Sequence, residues 1–372
     1  MENQNMVLPK VQLGNTGYSV SQLALGGFHQ VEISSDIIDK VVTAYQQFGG
    51  NYIETARSYG DGASEKKLGR VLEGRRDQFI LCSKSGAEGA REIRRDIEAS
   101  LTNLQTDHIE FYYFHGVPDE DKLERILSPG GALEGMLKAK EEGLIGGIGL
   151  SSHNLPMYIK GMSALPVDLI LIWCNYLEDM YLPEIKDEIF PFARKRNIGI
   201  TAMKPLGDGF LYRSPNMAMR YAMSNHPDVL VCGMNTLQHV SEAVEAVCQG
   251  PLTAAEQSSL LMDAPELGNY VCRQCGNCSA QLKELFRLEG YVDRQMIDYL
   301  EHDPADYALR LRLSSWFSMR EKGLSVFKKK KWDEMKLLKE AASVSCPYRI
   351  DVSRKVRLSL AKLSGGNLIL FE

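Results

Sequence analysis

Between residue 20 and about residue 250 the chain alternates short apolar runs with amphipathic stretches, and it does so eight times. The apolar runs cover residues 22–25, 51–54, 79–82, 109–114, 145–150, 169–172, 199–203 and 229–232, lengths that suit buried strands. Among the stretches between them, SSDIIDKVVTAYQQF places Ile37, Val41, Val42 and Tyr45 at helical spacing, with Ser35 able to cap the start. AREIRRDIEASLTNL, DEIFPFARKR and HVSEAVEAV repeat the pattern. Strand and helix in alternation give a parallel sheet with crossover helices. An open doubly wound sheet and a closed barrel both satisfy that rule. An open nucleotide-binding sheet would be expected to show GxGxxG after an early strand, and no such match occurs. The count of eight therefore predicts an α/β fold of the (β/α)8 TIM-barrel type.

The chain has 372 residues, more than one compact core usually holds, so a barrel over 1–265 and an extension over 266–372 are expected. A net charge of −5 argues against nucleic acid or an anionic membrane as the main partner. MENQNMVLPK lacks the apolar core of a secretory signal, and runs such as LILIWC are too short to span a bilayer, so a cytoplasmic protein is expected. Of eight cysteines, Cys82, Cys174, Cys232 and Cys248 lie in apolar or helical surroundings and read as small buried hydrophobes. Cys272, Cys275 and Cys278 form CRQCGNC, and Cys346 precedes a proline.

In a barrel of this type the working residues sit at the C-terminal ends of the strands. That singles out Glu54, Lys84, His115, residues 151–154, Asn175, Lys204 and Gly233, with Tyr59 in the loop after the second barrel strand. Eight pieces then follow in one family's order: VQLGNTGYSVSQLALGG, NYIETARSYGDGASEKKLGRVL, FILCSKSG, DHIEFYYFHGVPD, GGIGLSSHN, WCNYL, ITAMKPLGDGFL and VLVCGMNTLQHVSEAVEA. Over roughly its first two thirds the sequence resembles the aldo-keto reductases. The resemblance lays the family's Asp, Tyr, Lys and His tetrad on Glu54, Tyr59, Lys84 and His115.

Those residue types suit carbonyl reduction. Hydride arriving at a carbonyl carbon leaves negative charge on oxygen, and a positioned acid must protonate it. Tyr59 is the candidate acid. A free tyrosine has a pKa of about 10, so a neighbouring ammonium, Lys84, is needed to favour its phenolate. A carboxylate holds the lysine, and His115 can hydrogen-bond the substrate oxygen. Glu54 departs from the family's aspartate by one methylene. Its head must fold back or displace Lys84 by roughly an ångström, a shift that can cost about a hundredfold in rate.

The resemblance also implies a nucleotide site for NADP(H) or NAD(H). Ser151, Ser152 and Asn154 fall where the family holds the nicotinamide carboxamide, and Asn175 and Tyr176 fall near the ring or substrate. Lys204 and the PLGDG segment, with Leu206, Gly207 and Gly209, can approach a pyrophosphate, and PLGDG is equally a plain turn. The family often has a glutamine on strand six, where this chain puts Leu171, and a basic residue after the last strand. No lysine or arginine lies between Gly233 and Val247, which leaves both nucleotides open. Phe28, His29, residues 116–131 and 177–183 and the extension are the expected contributors to substrate choice, for a small carbonyl compound or sugar.

CRQCGNC has the CxxCxxC spacing of iron–sulfur ligands, with leucine at 282 where the nearby fourth cysteine would stand. Cys346, in CPYRID, supplies a cysteine and its proline after an insertion at 279–345. Some aldo-keto reductases carry a C-terminal ferredoxin-like segment, and this region resembles one split by an insertion. One [4Fe–4S] cluster on Cys272, Cys275, Cys278 and Cys346 is expected; zinc is the rival, and unliganded cysteines are the third reading. A structural cluster is the simpler role, because nicotinamide moves two electrons and no flavin motif is evident. The insertion reads as helical, with apolar faces from Leu282, Leu285 and Phe286 and from Tyr299, Leu309, Leu311 and Leu313. Lys328 to Lys331 can dock an acidic electron carrier or form a solvated helix face. Against the enzyme stands a non-catalytic nucleotide-binding redox sensor or interaction protein on the same scaffold, since fold alone does not fix function.

Overall fold

The structure, a computed structural model, describes residues 6–209, 211–293 and 319–364. An antiparallel hairpin of β1 (Lys10–Gln12) and β2 (Ser19–Ser21) opens the chain. Eight parallel strands follow: β3 (Leu23–Gly26), β4 (Tyr52–Glu54), β5 (Ile80–Ser85), β6 (Ile109–Phe114), β7 (Ile145–Ser151), β8 (Leu169–Trp173), β9 (Gly199–Met203) and β10 (Val229–Gly233). β10 pairs with β9 and with β3, which closes the barrel that the alternation predicts. Inside it Ala24, Tyr52, Cys82, Phe111, Tyr113, Leu169, Leu171, Val229 and Val231 form one cluster, joined by Leu13 and Val20 of the hairpin.

Several strands run past the apolar stretches that announce them. β5 continues through Lys84 and Ser85, paired with Tyr113 and Phe114, and β7 continues to Ser151, paired with Leu171. Ladder hydrogen bonds are made by the backbone and ignore side-chain polarity, so polar residues at the mouth are held in register like the core below them. This places Lys84 and Ser151 on rigid strand rather than on loop.

The helix Ser35–Gln47 buries Ile38, Val41, Val42 and Tyr45. Two expectations shift here by one residue. The cap is Ser34, whose hydroxyl accepts from the Ile37 N–H, and Ile37 itself is 41% exposed. Residues 90–104 form the expected helix, Ala90–Leu104. DEIFPFARKR divides into a π-helical turn, Ile185–Ile189, and a helix, Phe190–Lys195, because Pro191 has no N–H to continue the ladder of the preceding turn.

The chain divides into two compact units. The first comprises Met1–Asn175, Glu184–Leu206 and Pro215–Leu252, and the second Tyr176–Pro183, Gly207–Ser214 and the chain from Thr253 onward. The second unit is helical, with helices Ala254–Asp263, Ala280–Asp293, Met319–Lys329, Glu334–Ala341 and Val352–Leu363. Leu282, Leu285 and Phe286 are buried in it, as the sequence pattern predicts. Tyr299, Leu309, Leu311 and Leu313 lie outside the described residues. Among the described residues no helix is long and apolar enough to cross a membrane.

Candidate active site

Register brings the first two site residues together. Glu54 ends β4 opposite Cys82 of β5, and Lys84 lies two residues beyond Cys82 on the same face of its strand. The Lys84 Nζ is 3.1 Å from the Glu54 carboxylate, with only 1% and 2% of the two side chains exposed. It also donates to the Thr55 carbonyl at 2.8 Å.

Tyr59 reaches the pair by a short controlled loop. The N–H groups of Thr55 and Arg57 donate to Cys82 and Lys84, so the chain follows β5 beyond the end of β4. Gly60, Asp61 and Gly62 then take left-handed φ values of 60°, 50° and 79°, turning into the helix Ala63–Val71. Beneath the loop Arg57 pairs with fully buried Glu65 at 2.9 Å, and Glu65 also accepts from Ser83 and Asn103. The Lys84 Nζ lies 5.4 Å from the Tyr59 ring centroid. His115 and Phe28 meet that ring edge-on, at 5.9 and 5.1 Å. His115 follows β6 and is anchored by its N–H to Ser85, while Ser58 Oγ lies 3.4 Å from its Nδ1. All four tetrad positions thus converge at one mouth.

Burial pushes the Lys84 ammonium toward a lower pKa, but the negative charge of Glu54 is the largest influence raising it and the net direction is upward. Lys84 is therefore a fixed cation. Glu54 keeps the pair despite its added methylene, yet it uses one oxygen to do so. Its Oε1 is buried without a hydrogen-bond partner among the described residues. Deeper in the barrel, burial first and the Glu54 charge second raise the Cys82 thiol, so it stays neutral.

The residues expected on the nucleotide side are mostly committed to the fold. Ser151 Oγ accepts from the Gly116 N–H at 3.1 Å, beside His115. Ser152 Oγ donates to Val117, and the Asn154 amide donates to Pro118 at 2.7 Å. Asn175 donates to the Lys204 carbonyl at 3.0 Å. Lys204 adopts a left-handed φ of 59°, and its Nζ lies 5.9 Å from the Trp173 ring centroid. Leu206 closes the barrel unit's share of PLGDG; Gly207 and Gly209 form a 3-10 turn in the second unit. Tyr176 also belongs to the second unit, where its hydroxyl donates to Glu266 at 3.0 Å. Gly233 has a packing reason of its own, since a Cβ there would lie 2.0 Å from the His29 ring.

Sequence reasoning missed an aromatic pair. Leu171 belongs to the interior cluster, so the residue that β8 delivers to the mouth is Trp173, whose ring stacks on His153 at 5.1 Å. The alternation of side chains along β8 was the available signal, because residues 171 and 173 share a face at different heights.

In the second unit, Cys272, Cys275, Cys278 and Cys346 all line one small cavity. Burial and the neighbouring cysteines push the Cys278 thiol up to about 11, and burial raises Cys272. No group of three or more His, Cys, Asp and Glu among the described residues is arranged to hold a metal ion. Cys82, Cys174 and Cys232 are buried as expected, whereas Cys248 is only half-buried.

A parallel barrel with a buried lysine between a carboxylate and a tyrosine belongs among the barrel oxidoreductases. Residues 23–216 match the profile of the Aldo/keto reductase family. The chain belongs to that family and is an oxidoreductase. It is 27% identical over 297 residues to L-galactose dehydrogenase of Arabidopsis thaliana, covering 67% of this chain and 91% of that protein. A Pseudomonas aeruginosa structure assigned to the aldo-keto reductases shares 26% identity with a TM-score of 0.57, over 67% of this chain and 98% of that one. An aldo-keto reductase from Klebsiella pneumoniae, in complex with NADPH, has the same fold at 22% identity and a TM-score of 0.55, over 69% and 95% of the two chains.

Proposed function

We propose that the protein reduces a small carbonyl compound or sugar with NAD(P)H, using Tyr59 as the acid. The observation that carries this reading is the buried Lys84, held by Glu54 on one side and set 5.4 Å from the Tyr59 ring on the other. When bound, the nicotinamide supplies hydride to the carbonyl carbon. Tyr59 gives its hydroxyl proton to the carbonyl oxygen, Lys84 stabilises the resulting phenolate, and His115 orients the oxygen. The products are the alcohol and oxidised nucleotide, and solvent returns the proton to Tyr59. The Arabidopsis relative's sugar substrate, as its name gives it, favours a sugar among the candidates. Ser151, Asn175, Lys204 and Trp173 are the residues on the barrel that would bound the nucleotide.

The cysteine cavity supports a second, structural element of the function. Around zinc, with bonds of about 2.3 Å, thiolate sulfurs stand roughly 3.8 Å apart. In a [4Fe–4S] cluster each thiolate binds a different iron, so the four ligands are spread further. The support for the cluster is that all four cysteines, in a CxxCxxC loop and at a later Cys-Pro, line one cavity. It would staple the CRQCGNC loop to Cys346 within the extension.

Protein purified without oxygen, mixed with NADPH or NADH and a panel of aldehydes, ketones and sugars, tests the first reading. Nucleotide oxidation that falls about 10²- to 10⁴-fold in Tyr59→Phe is expected. Equal rates in both forms would defeat it.

A further inference from the structure

We propose that the buried Lys355 ammonium is a counter-charge of the cysteine centre, setting how readily that centre accepts an electron. This rests on the reading that Cys272, Cys275, Cys278 and Cys346 hold an iron–sulfur cluster. Lys355 is 3% exposed, which is rare for lysine and needs an electrostatic reason. It lies on the helix Val352–Leu363, one turn beyond Val352, and Val352 lines the cysteine cavity. Its Nζ is 5.2 Å from the ring centroid of Phe286, another wall of that cavity, and 3.7 Å from the ring of Tyr270, two residues before Cys272. The ammonium therefore sits directly behind the cavity wall.

Its own partner does not cancel it. Lys355 pairs with Glu289, but the other oxygen of Glu289 accepts from Lys362 at 3.0 Å and from the Tyr270 hydroxyl. A carboxylate shared in this way leaves part of the Lys355 field to act on Cys272. Arg273, a buried cation that lines the cavity itself, adds its own positive field there. Its guanidinium donates to the carbonyls of Leu261, Leu267, Gly268 and Val271 and so fixes the loop that leads into CRQCGNC.

A buried Lys–Glu pair seldom stabilises more than an apolar pair of the same volume. Beside four thiolates the balance changes. A tetrathiolate [4Fe–4S] centre is anionic, and each added electron increases that charge, so a nearby buried cation favours the reduced form. The test uses the full chain purified without oxygen, with iron and acid-labile sulfide counted and the cluster titrated redox-potentiometrically. Lys355→Met is expected to weaken the centre's hold on its electron about tenfold, ~59 mV lower for a one-electron couple. It should also hasten bleaching by chelator, while Lys355→Arg restores both properties. Lys355→Gln, which can still hydrogen-bond Glu289, is the second variant if the methionine form does not fold, and the same lowering is expected. An unchanged potential in a cluster-bearing Met or Gln variant overturns the proposal. Wild-type protein lacking iron and sulfide would instead overturn the cluster reading, and this proposal with it.

Discussion

Two buried glutamate–lysine pairs, one in each unit, are built differently. In the barrel, Glu54 and Lys84 lie on adjacent parallel strands, and their meeting follows from the Glu54 to Cys82 register. In the helical unit, Glu289 and Lys355 come from separate helices, and Glu289 must also serve Lys362 and Tyr270. In the barrel pair Lys84 is held by Glu54 and the Thr55 carbonyl and lies beside a tyrosine at the mouth. The helical pair is shared and lies behind a cavity of thiols. A buried ion pair is weak ground for stability by itself, so each is better explained by what it holds charged beside it.

Breaking the barrel pair from the lysine side should have the largest effect. Lys84→Met leaves Glu54 buried without its cation, an expected loss of about 3–5 kcal/mol in stability. It also removes the charge that favours the Tyr59 phenolate, so turnover should fall at least about a hundredfold. Thermal melting and nucleotide oxidation read the two losses separately. Melting lowered with turnover intact would mean that Lys84 is structural only.

The helical pair should respond in stability and at the cysteine centre, and not in nucleotide turnover. Glu289→Gln strips the carboxylate from two lysines and should destabilise the second unit by about 3 kcal/mol. A melt followed through Trp332, which lies in that unit and stacks on Phe327 at 5.4 Å, reports the change. Nucleotide oxidation should change less than about threefold. A large loss of turnover would link the two pairs and blur the distinction between them.

The barrel pair should also show itself in pH dependence. Glu54 is the largest influence holding the Lys84 pKa above its ordinary value against the effect of burial. A group raised in this way contributes stability that is complete below about pH 10.4, the unfolded value, and lost as pH climbs through the folded one. In Glu54→Gln burial prevails and the folded pKa drops below the unfolded one. Stability is then lower at neutral pH and recovers between the depressed value and about pH 10.4. The wild type should stay flat over that window, and the alkaline limb of turnover should move to lower pH in the variant. Parallel stability curves for the two proteins would remove Glu54 from the account of Lys84.

How much of this was legible in the sequence follows the same division. Eight apolar runs sufficed for the barrel, because parallel buried strands are continuous apolar segments. Glu54, Lys84 and His115 could be placed at strand ends for the same reason. Ser34 in place of Ser35, and buried Ile38 in place of Ile37, differ by a single residue because a helical stripe is wide and its cap is set by backbone geometry. Trp173 was missed because β8 is apolar on both faces: alternation puts residue 173 on the same face as Leu171 but does not mark the height at which the core ends. The Glu289, Lys355, Lys362 and Tyr270 set was invisible, since no periodicity relates residues on separate helices. The hydroxyl of Tyr176, tied to Glu266, was equally out of reach.

The smallest effect belongs to Glu54→Asp, and it bears most directly on the departure at this position. With glutamate the pair is already at 3.1 Å, so the longer side chain has not separated it from Lys84. The structural cost of the methylene lies instead in Oε1, buried without a hydrogen-bond partner among the described residues. Aspartate would draw the carboxylate back by about 1.5 Å along a rigid strand. Lys84 is also tethered to the Thr55 carbonyl and can follow only in part. Two opposing terms result: a buried unsatisfied oxygen is relieved and an ion pair is lengthened, each worth about 1–3 kcal/mol. Their near cancellation predicts turnover within about tenfold of wild type, in either direction, with melting little changed. A rise of a hundredfold would show that glutamate misplaces Lys84 during reaction, and a fall of that size would show that the mouth is fitted to the longer acid.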